Sequence, residues 1–322
     1  MILAGDIGGT KVRLALFEEK GEEFIDEQKF PSKEFPDFAS LLKKFLEKKG
    51  GRKISCASFG VAGPVHDGVC RATNLPWMIS AKVLEEELKI PQVHLINDLE
   101  ANAWGLRCLL ESEFFTVNVG ERANGNQCLI SAGTGLGEAG LYWDGKSHQP
   151  FACEGGHCDF APTDEEQIEL LRYLKLQYKH TSYERILSGS GLYLLYRFLI
   201  DTKRETEIFC VSSLFGQKEP QLIITENAKN GQCKACVRAC RLFTSIYGSE
   251  AGNLALKFLA VGGVFIGGGI APHFIEFFKE GKFIHSFSDK GRFSPMLMKI
   301  PIKIVLNEKT ALIGAARYAQ EK

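Results

Sequence analysis

Apolar positions recur along the chain with two different periods. Short apolar runs at Ile2, Leu3 and Ala4 and from Val12 to Phe17 flank a glycine-rich turn, and a third run lies near Phe24 to Phe30. This pattern predicts a three-stranded hairpin meander. Over 37–49 the period changes. Apolar residues at 38, 41, 42, 45 and 46, with charges between them, predict an amphipathic helix closed by Gly50 and Gly51. Strands at 54–59 and 93–96 follow, with a helix over about 80–89 between them for which Ser80 is the N-cap. Asn97 and Asp98 then open a helix that ends near Cys108, giving the order β-β-β-α-β-α-β-α.

The second half predicts strands near 114–119 and 128–131 and a hairpin whose turn, Asp144-Gly145, is the favoured type I′ pair. Helices follow at 164–178, 189–200, 220–229 and about 232–259. A strand at 264–266, a triple-glycine turn, a helix at 272–279, a strand at 302–306 and a helix at 309–319 complete the chain. Strand and helix alternate at both ends, and no internal repeat is visible. The class is therefore α/β and not a solenoid.

Composition narrows the function classes. The 39 Lys and Arg balance 39 Asp and Glu, so no bulk charge attracts nucleic acid or an anionic membrane. No stretch approaches 18 uninterrupted apolar residues, and the N-terminus lacks a basic segment, a long apolar run and a cleavage-like site. The expectation is a cytoplasmic protein with no membrane span. Ten cysteines are read as mostly reduced, because a chain of this length does not need a disulfide framework. Cys233, Cys236 and Cys240 have the spacing of a buried helical stripe, and no second Cys pair follows to complete a zinc site.

Glycine is in excess and unevenly placed: 18 of 33 fall in six short segments covering 39 residues. Such clusters mark close approach of backbone to something else, often phosphate. Gly140 to Ser147 spells the P-loop formula, but its Leu141, Tyr142 and Trp143 are strand-like and no helix follows. It is read as a hairpin. The stronger candidate is the turn at 5–10, in which Gly5, Asp6, Ile7, Gly8, Gly9 and Thr10 would contact a nucleotide. Asp6 would hold Mg²⁺ through water. The plainer alternative is a turn for chain reversal only. Two further strand-to-glycine turns carry Gly133, Thr134 and Gly135, and Gly268 and Gly269 before Pro272.

In their order, DIGGT, SAGTGLG and VFIGGGI resemble the phosphate and adenosine motifs of the actin-like ATPase and sugar kinase superfamily. Asn97-Asp98, the segment PFACEGGHCDFAP at 150–162, Tyr183-Glu-Arg-Ile-Leu-Ser-Gly189 and Asp289 to Phe293 narrow the resemblance to the bacterial ATP-dependent glucokinase family, over essentially 1–320. The resemblance implies two ribonuclease-H-like lobes with a nucleotide and sugar cleft between them. The small lobe would comprise 1–110 plus 309–322 and the large lobe 111–308. It implies ATP and Mg²⁺ as cofactors, glucose as partner, and a homodimer. It also implies Asn97, Asp98, Glu154, His157 and Glu184 as glucose-binding residues, with Asp98 as catalytic base. The chemistry agrees: a sugar hydroxyl needs a base as phosphoryl transfer proceeds, and paired polar groups discriminate between epimers.

The same residues admit plainer roles. Asn97 and Asp98 would cap a helix, Glu154 and His157 would form a satisfied loop pair, and Glu184 would be an ion-pair partner near Arg185. Lys11 after GGT is common in the related ROK kinases, but no CxCG motif follows Cys158, so ROK is the lesser match. The remaining alternatives are another hexose or N-acetylhexosamine kinase, a non-catalytic sugar-sensing regulator, and an actin-like assembly ATPase.

Overall fold

The structure, a computed structural model, describes residues 1–19, 24–47, 49, 52–72 and 75–322. The chain forms two compact units. The first comprises Met1–Glu111, Gln149–Ala152 and Asn307–Lys322, and the second Ser112–His148 and Cys153–Leu306.

The first unit carries strands β1 (Ile2–Ile7), β2 (Lys11–Phe17), β3 (Phe24–Pro31), β4 (Cys56–Val61), β5 (Val65–His66), β6 (Val69–Arg71), β7 (Met78–Ser80) and β8 (Val93–Asn97). Its helices are α1 (Phe38–Glu47), α2 (Ala81–Leu88) and α3 (Asp98–Leu106), and it also holds the last helix of the chain, Thr310–Glu321. The main sheet has the order β3-β2-β1-β4-β8, with β1, β4 and β8 parallel and the first three strands forming the expected meander. Period-two alternation sends the side chains of this sheet to opposite faces. Leu3, Ile7, Val12, Leu14 and Leu16 meet α1 through Phe38, Leu41, Leu42 and Phe45. Ile2, Ala4, Ala15 and Phe17 meet Leu312, Ala315 and Ala316 of the C-terminal helix. The small sheet β5-β6-β7 was not anticipated: its strands have two or three residues, too few for alternation to register. Ser80 occupies the expected N-cap position of α2, but its side chain makes no capping hydrogen bond. The proposed stop at Gly50 and Gly51 lies outside the described residues.

The second unit carries β9 (Phe114–Asn118), β10 (Gln127–Ala132), β11 (Leu136–Trp143), β13 (Gly263–Gly267), β14 (Ile302–Val305) and the two end residues of β12 (His148–Cys153), in a sheet of order β12-β11-β10-β13-β14-β9. Its helices are α4 (Glu165–Lys175), α5 (Gly189–Asp201), α6 (Phe209–Ser212), α7 (Pro220–Lys229), α8 (Lys234–Phe258), α9 (Ile275–Lys279), α10 (Lys282–Ser288) and α11 (Ser294–Leu297), so the C-terminal helix is α12. The short helices α6, α10 and α11 were missed, and α9 begins as a single 3-10 turn at Ala271–Phe274. The largest core packs α5, α7, α8 and α10 together through residues such as Leu195, Ile224, Phe243 and Phe283.

Two local expectations need correction. The β11–β12 connection is a four-residue loop and not a type I′ turn: Gly145 has φ 97° while Asp144 does not have positive φ. The Asp144 carboxylate accepts the Lys146 and Ser147 amides at 2.8 Å each, and this local bonding favours the longer loop. The P-loop spelling is indeed strand β11, a turn and strand β12. Cys236 and Cys240 are buried in α8, but Cys233 precedes the helix and its thiol accepts the Cys236 amide at 3.2 Å as the N-cap. Among the described residues no helix is long and apolar enough to cross a membrane.

Candidate functional site

In the first unit, parallel β1, β4 and β8 end level with one another. Ile7 pairs with Val61, and Val61 with Asn97, so the turn at 8–10 and the start of α3 leave the same edge of one sheet. The carboxyl edge of parallel strands is where open α/β sheets bind ligands. The turn is braced from below. The Gly8 amide donates to the Lys11 carbonyl at 3.0 Å, Ser32 Oγ donates to the Gly8 carbonyl at 2.8 Å, and the Ser32 amide to the Thr10 carbonyl at 3.1 Å. Ile7 is buried, and a Cβ on Gly5 would lie 2.7 Å from the Phe59 ring. These two residues pack the core under the turn and leave the open edge to Gly8, Gly9 and Thr10.

Asp6 sits opposite Arg13 across β1 and β2. Burial pushes its carboxyl up, and the Arg13 guanidinium pulls it partly back. Arg13 spends Nη1 on the Glu308 carbonyl at 2.9 Å. No side-chain hydrogen bond reaches Asp6 among the described residues, so its carboxylate has acceptor capacity to spare. Magnesium needs only one or two protein carboxylates beside water and substrate phosphates. Asp6 fits that requirement, and a cluster of three metal-ligating side chains, which the described residues do not contain, is not needed.

Asn97 does cap α3. Its Oδ1 accepts the Leu99 and Glu100 amides at 2.9 and 3.3 Å, and its Nδ2 donates to the Gly63 carbonyl at 3.3 Å. One Nδ2 hydrogen is left beyond that bond. Asp98 follows as the first residue of α3, where the helix N-terminus favours a negative side chain. We expect Asn97→Ala to lower the unfolding free energy by about 1 kcal/mol and Asn97→Asp to lower it by less, because Asp caps equally well but cannot donate to the Gly63 carbonyl. Urea titration of the two variants checks this, and equal losses would show that the capping bonds are not what the side chain contributes.

In the second unit, β10 and β13 are parallel with Ser131 opposite Gly267, so the turns at 133–135 and 268–269 are neighbours. The Ile270 amide donates to the Ala132 carbonyl at 3.3 Å, tying one turn to the other. Nothing lies within 4 Å of where a Cβ would sit on Gly133 or Gly269, so both face open space. The Gly189 amide, at the start of α5, donates to the Gly133 carbonyl at 2.9 Å. Gly135 is different: its missing Cβ is replaced by the Glu184 carboxyl, with Oε2 at 2.5 Å from that position. Glu184 Oε2 accepts the Leu136 amide at 3.1 Å. Glu184 makes no ion pair among the described residues, and Arg185 instead lies over the Tyr178 ring at 4.6 Å.

The segment Gly155–His157 is a single 3-10 turn laid on β11. A Cβ on Gly156 would meet the Leu136 carbonyl oxygen at 2.1 Å, so only glycine permits this contact. Glu154 and His157 are exposed, and their side chains make no hydrogen bond to each other or to other described residues. The satisfied loop pair is therefore not formed. Tyr183–Arg185 packs beside this turn, its first amide donating to the Cys158 carbonyl at 3.1 Å. Thus Glu154, His157 and Glu184 are all carried by the first residues of β11. Sequence reasoning missed Glu138, two residues further along that strand and fully buried, whose only signal was a carboxylate inside an otherwise apolar and glycine run.

The chain has relatives over its full length. It is 39% identical to a glucokinase of Nostoc sp. over 337 residues, covering 99% of this chain and 98% of that protein. The crystal structure of a glucokinase from an Antarctic psychrotroph superposes with a TM-score of 0.84 at 30% identity, over 100% of this chain and 99% of that one. A glucokinase from Balamuthia mandrillaris in complex with glucose shares the fold, with a TM-score of 0.82 at 23% identity over 99% and 93% of the two chains. Sequence and fold thus extend the match from the glycine turns to the whole chain, and with the glucokinase family profile matching residues 3–322, the chain belongs to the glucokinase family.

Proposed function

We propose that this ATP-dependent glucokinase transfers the γ-phosphoryl group to the 6-hydroxyl of glucose with Asp98 as general base. The observation that carries this reading is the position of Asp98, at the carboxyl edge of β8 and level with the turn at 8–10. A base must lie within reach of the hydroxyl it deprotonates, and a turn rich in backbone amides is suited to the phosphates beside it. Gly8, Gly9, Thr10, Gly133, Thr134, Gly135, Gly268 and Gly269 take the nucleotide in this reading. When held by Asp6 through water, Mg²⁺ supplies charge neutralisation at the phosphates.

Asn97, Glu154, His157 and Glu184 bind the sugar. Asn97 retains a donor, Glu184 retains Oε1, and Glu154 and His157 present side chains with no internal partner. Groups of this kind reject an epimer that leaves them unpaired in a water-poor site. A structural neighbour in complex with glucose supports glucose as the sugar. By the same family resemblance the enzyme acts as a homodimer in the cytoplasm.

A coupled ADP-release assay with glucose, mannose, N-acetylglucosamine, fructose and no sugar tests the substrate. We expect kcat/KM for glucose to exceed that for each other sugar by at least about tenfold, the value of about 1.4 kcal/mol of differential binding. Sugar-independent turnover, or a preference for N-acetylglucosamine, would sink the assignment.

A further inference from the structure

Behind the 154–157 turn lies a buried polar cluster that phosphoryl transfer does not use. Glu138 on β11 is 0% exposed, and neither of its carboxyl oxygens has a hydrogen-bond partner among the described residues. A Cβ on Gly155 would stand 1.8 Å from Glu138 Oε2, so the carboxyl presses directly against the turn's backbone. The turn is therefore what separates Glu138 from solvent on that side.

The groups around Glu138 determine which protonation state fits. From α8 it faces Glu250, also 0% exposed, together with Lys257 and Tyr247; from β10 it faces Cys128, and from the end of β12 Cys153, with Glu154 beyond. Burial pushes the Cys128, Cys153 and Tyr247 protons up, so these groups stay neutral. Lys257 is committed to Glu250 at 3.3 Å, and Glu250 also accepts from Asn253 at 2.8 Å. Lys290 donates to Ser249 at 3.1 Å, and Tyr183 faces Glu250. Lys257, paired with Glu250, makes no ion pair with Glu138 among the described residues and only partly offsets the rise through space. Burial, with the Glu250 charge adding to it, raises the Glu138 carboxyl from its ordinary value to about 8. A carboxyl without a partner in such a place is neutral at pH 7 and strongly disfavoured as an anion.

We propose that Glu138 is a positioning residue for the sugar-binding turn: as a neutral acid it seats Gly155 and holds Glu154 and His157, and on ionising it unseats the turn and abolishes glucose binding. The physical route is short. A bare buried carboxylate gains most by reaching water, and the nearest cover to displace is the turn lying on it. This inference rests on the reading of Glu154 and His157 as glucose ligands.

Glucose binding is measured by titration calorimetry without nucleotide at pH 7, 8 and 9, on wild type, Glu138→Gln and Glu154→Ala. If only the neutral form binds, a titration near pH 8 leaves about nine-tenths of the protein competent at pH 7 and about one-tenth at pH 9. The apparent Kd of wild type should rise about tenfold across that interval. Glu138→Gln, which keeps the shape and cannot ionise, should match wild type at pH 7 and stay flat to pH 9. A merely structural glutamate would produce no such difference in pH profile. A wild-type Kd that is flat from pH 7 to 9 overturns the inference whether or not any variant folds. A Glu138→Gln profile that rises like wild type overturns it too. Glu154→Ala separates the two readings: a variant that binds glucose as tightly as wild type removes the sugar-turn assignment, whereas a weak-binding variant beside a flat wild-type profile removes only the role of Glu138.

Discussion

Asp98→Asn should lower kcat by roughly 10²- to 10⁴-fold, the range that a positioned general base contributes, while glucose affinity stays within a few-fold. Asparagine keeps the shape and hydrogen-bonding reach of the side chain at the start of α3 but cannot accept the hydroxyl proton. The protein should still fold, since the main structural cost is loss of a negative charge at a helix N-terminus, about 0.3–1 kcal/mol. The neighbouring cap is supplied by Asn97, which this substitution leaves in place. Comparing kcat from ADP release with Kd from glucose titration decides the matter. A variant with kcat within tenfold of wild type removes Asp98 as base. A variant with normal kcat at saturation and greatly weakened binding would reassign it as a sugar ligand only.

That expectation depends on how α3 is held, and here sequence and structure inform different parts. The strand and helix order was legible because the elements are long and periodic: β1 and β2, α1, α5, α7 and α8 follow directly from apolar spacing. The Asn97 cap was legible as well, being a polar residue at the junction of an apolar strand and a helix. What sequence spacing could not show is which partner each glycine meets. The excess of glycine reads as a map of nucleotide contacts, and Gly133 and Gly269 do face open space. Yet Gly5, Gly135 and Gly156 lack a side chain because Phe59, Glu184 and the Leu136 carbonyl occupy its place. A glycine against a ligand and a glycine against its own protein leave the same letter in the sequence.

The buried carboxylates illustrate the same limit from the other side. Glu154 and Glu184 stood out by motif, and Glu138 and Glu250 did not, although both of the latter are fully buried. Nothing local marks them. Glu138 lies on a strand whose neighbours are small, and Glu250 on a helix stretch of mostly small and apolar residues, so only the tertiary packing of β11 on α8 reveals that two carboxyls share one core.

The strongest consequence of glycine-for-packing lies in the contact between α3 and α12. Gly314 of α12 faces α3 so closely that a Cβ there would stand 1.7 Å from the Ala101 carbonyl oxygen and 2.5 Å from the Gly105 nitrogen. Gly105 meets α12 in return, 2.0 Å separating its absent Cβ from the Thr310 carbonyl, and Gly60 of β4 admits Ala101 at 2.8 Å. The contacts of Gly314 and Gly105 are with backbone and that of Gly60 is with a methyl group, so no rotamer change relieves them. Gly314→Ala must therefore push α3 and α12 apart by about 1 Å or more, and overpacking of this kind costs roughly 1–3 kcal/mol. Because α3 begins with Asp98, the displacement reaches the reacting end of the helix, where a misplacement of about 1 Å costs on the order of 10²-fold in rate. We expect kcat to fall about 10²-fold with a lowered melting temperature, and a smaller change in ATP KM, since the turns at 133–135 and 268–269 belong to the other unit. Thermal unfolding and steady-state kinetics on the one variant test both parts. Unchanged melting temperature with unchanged kcat would mean that the α3–α12 contact is not what fixes Asp98.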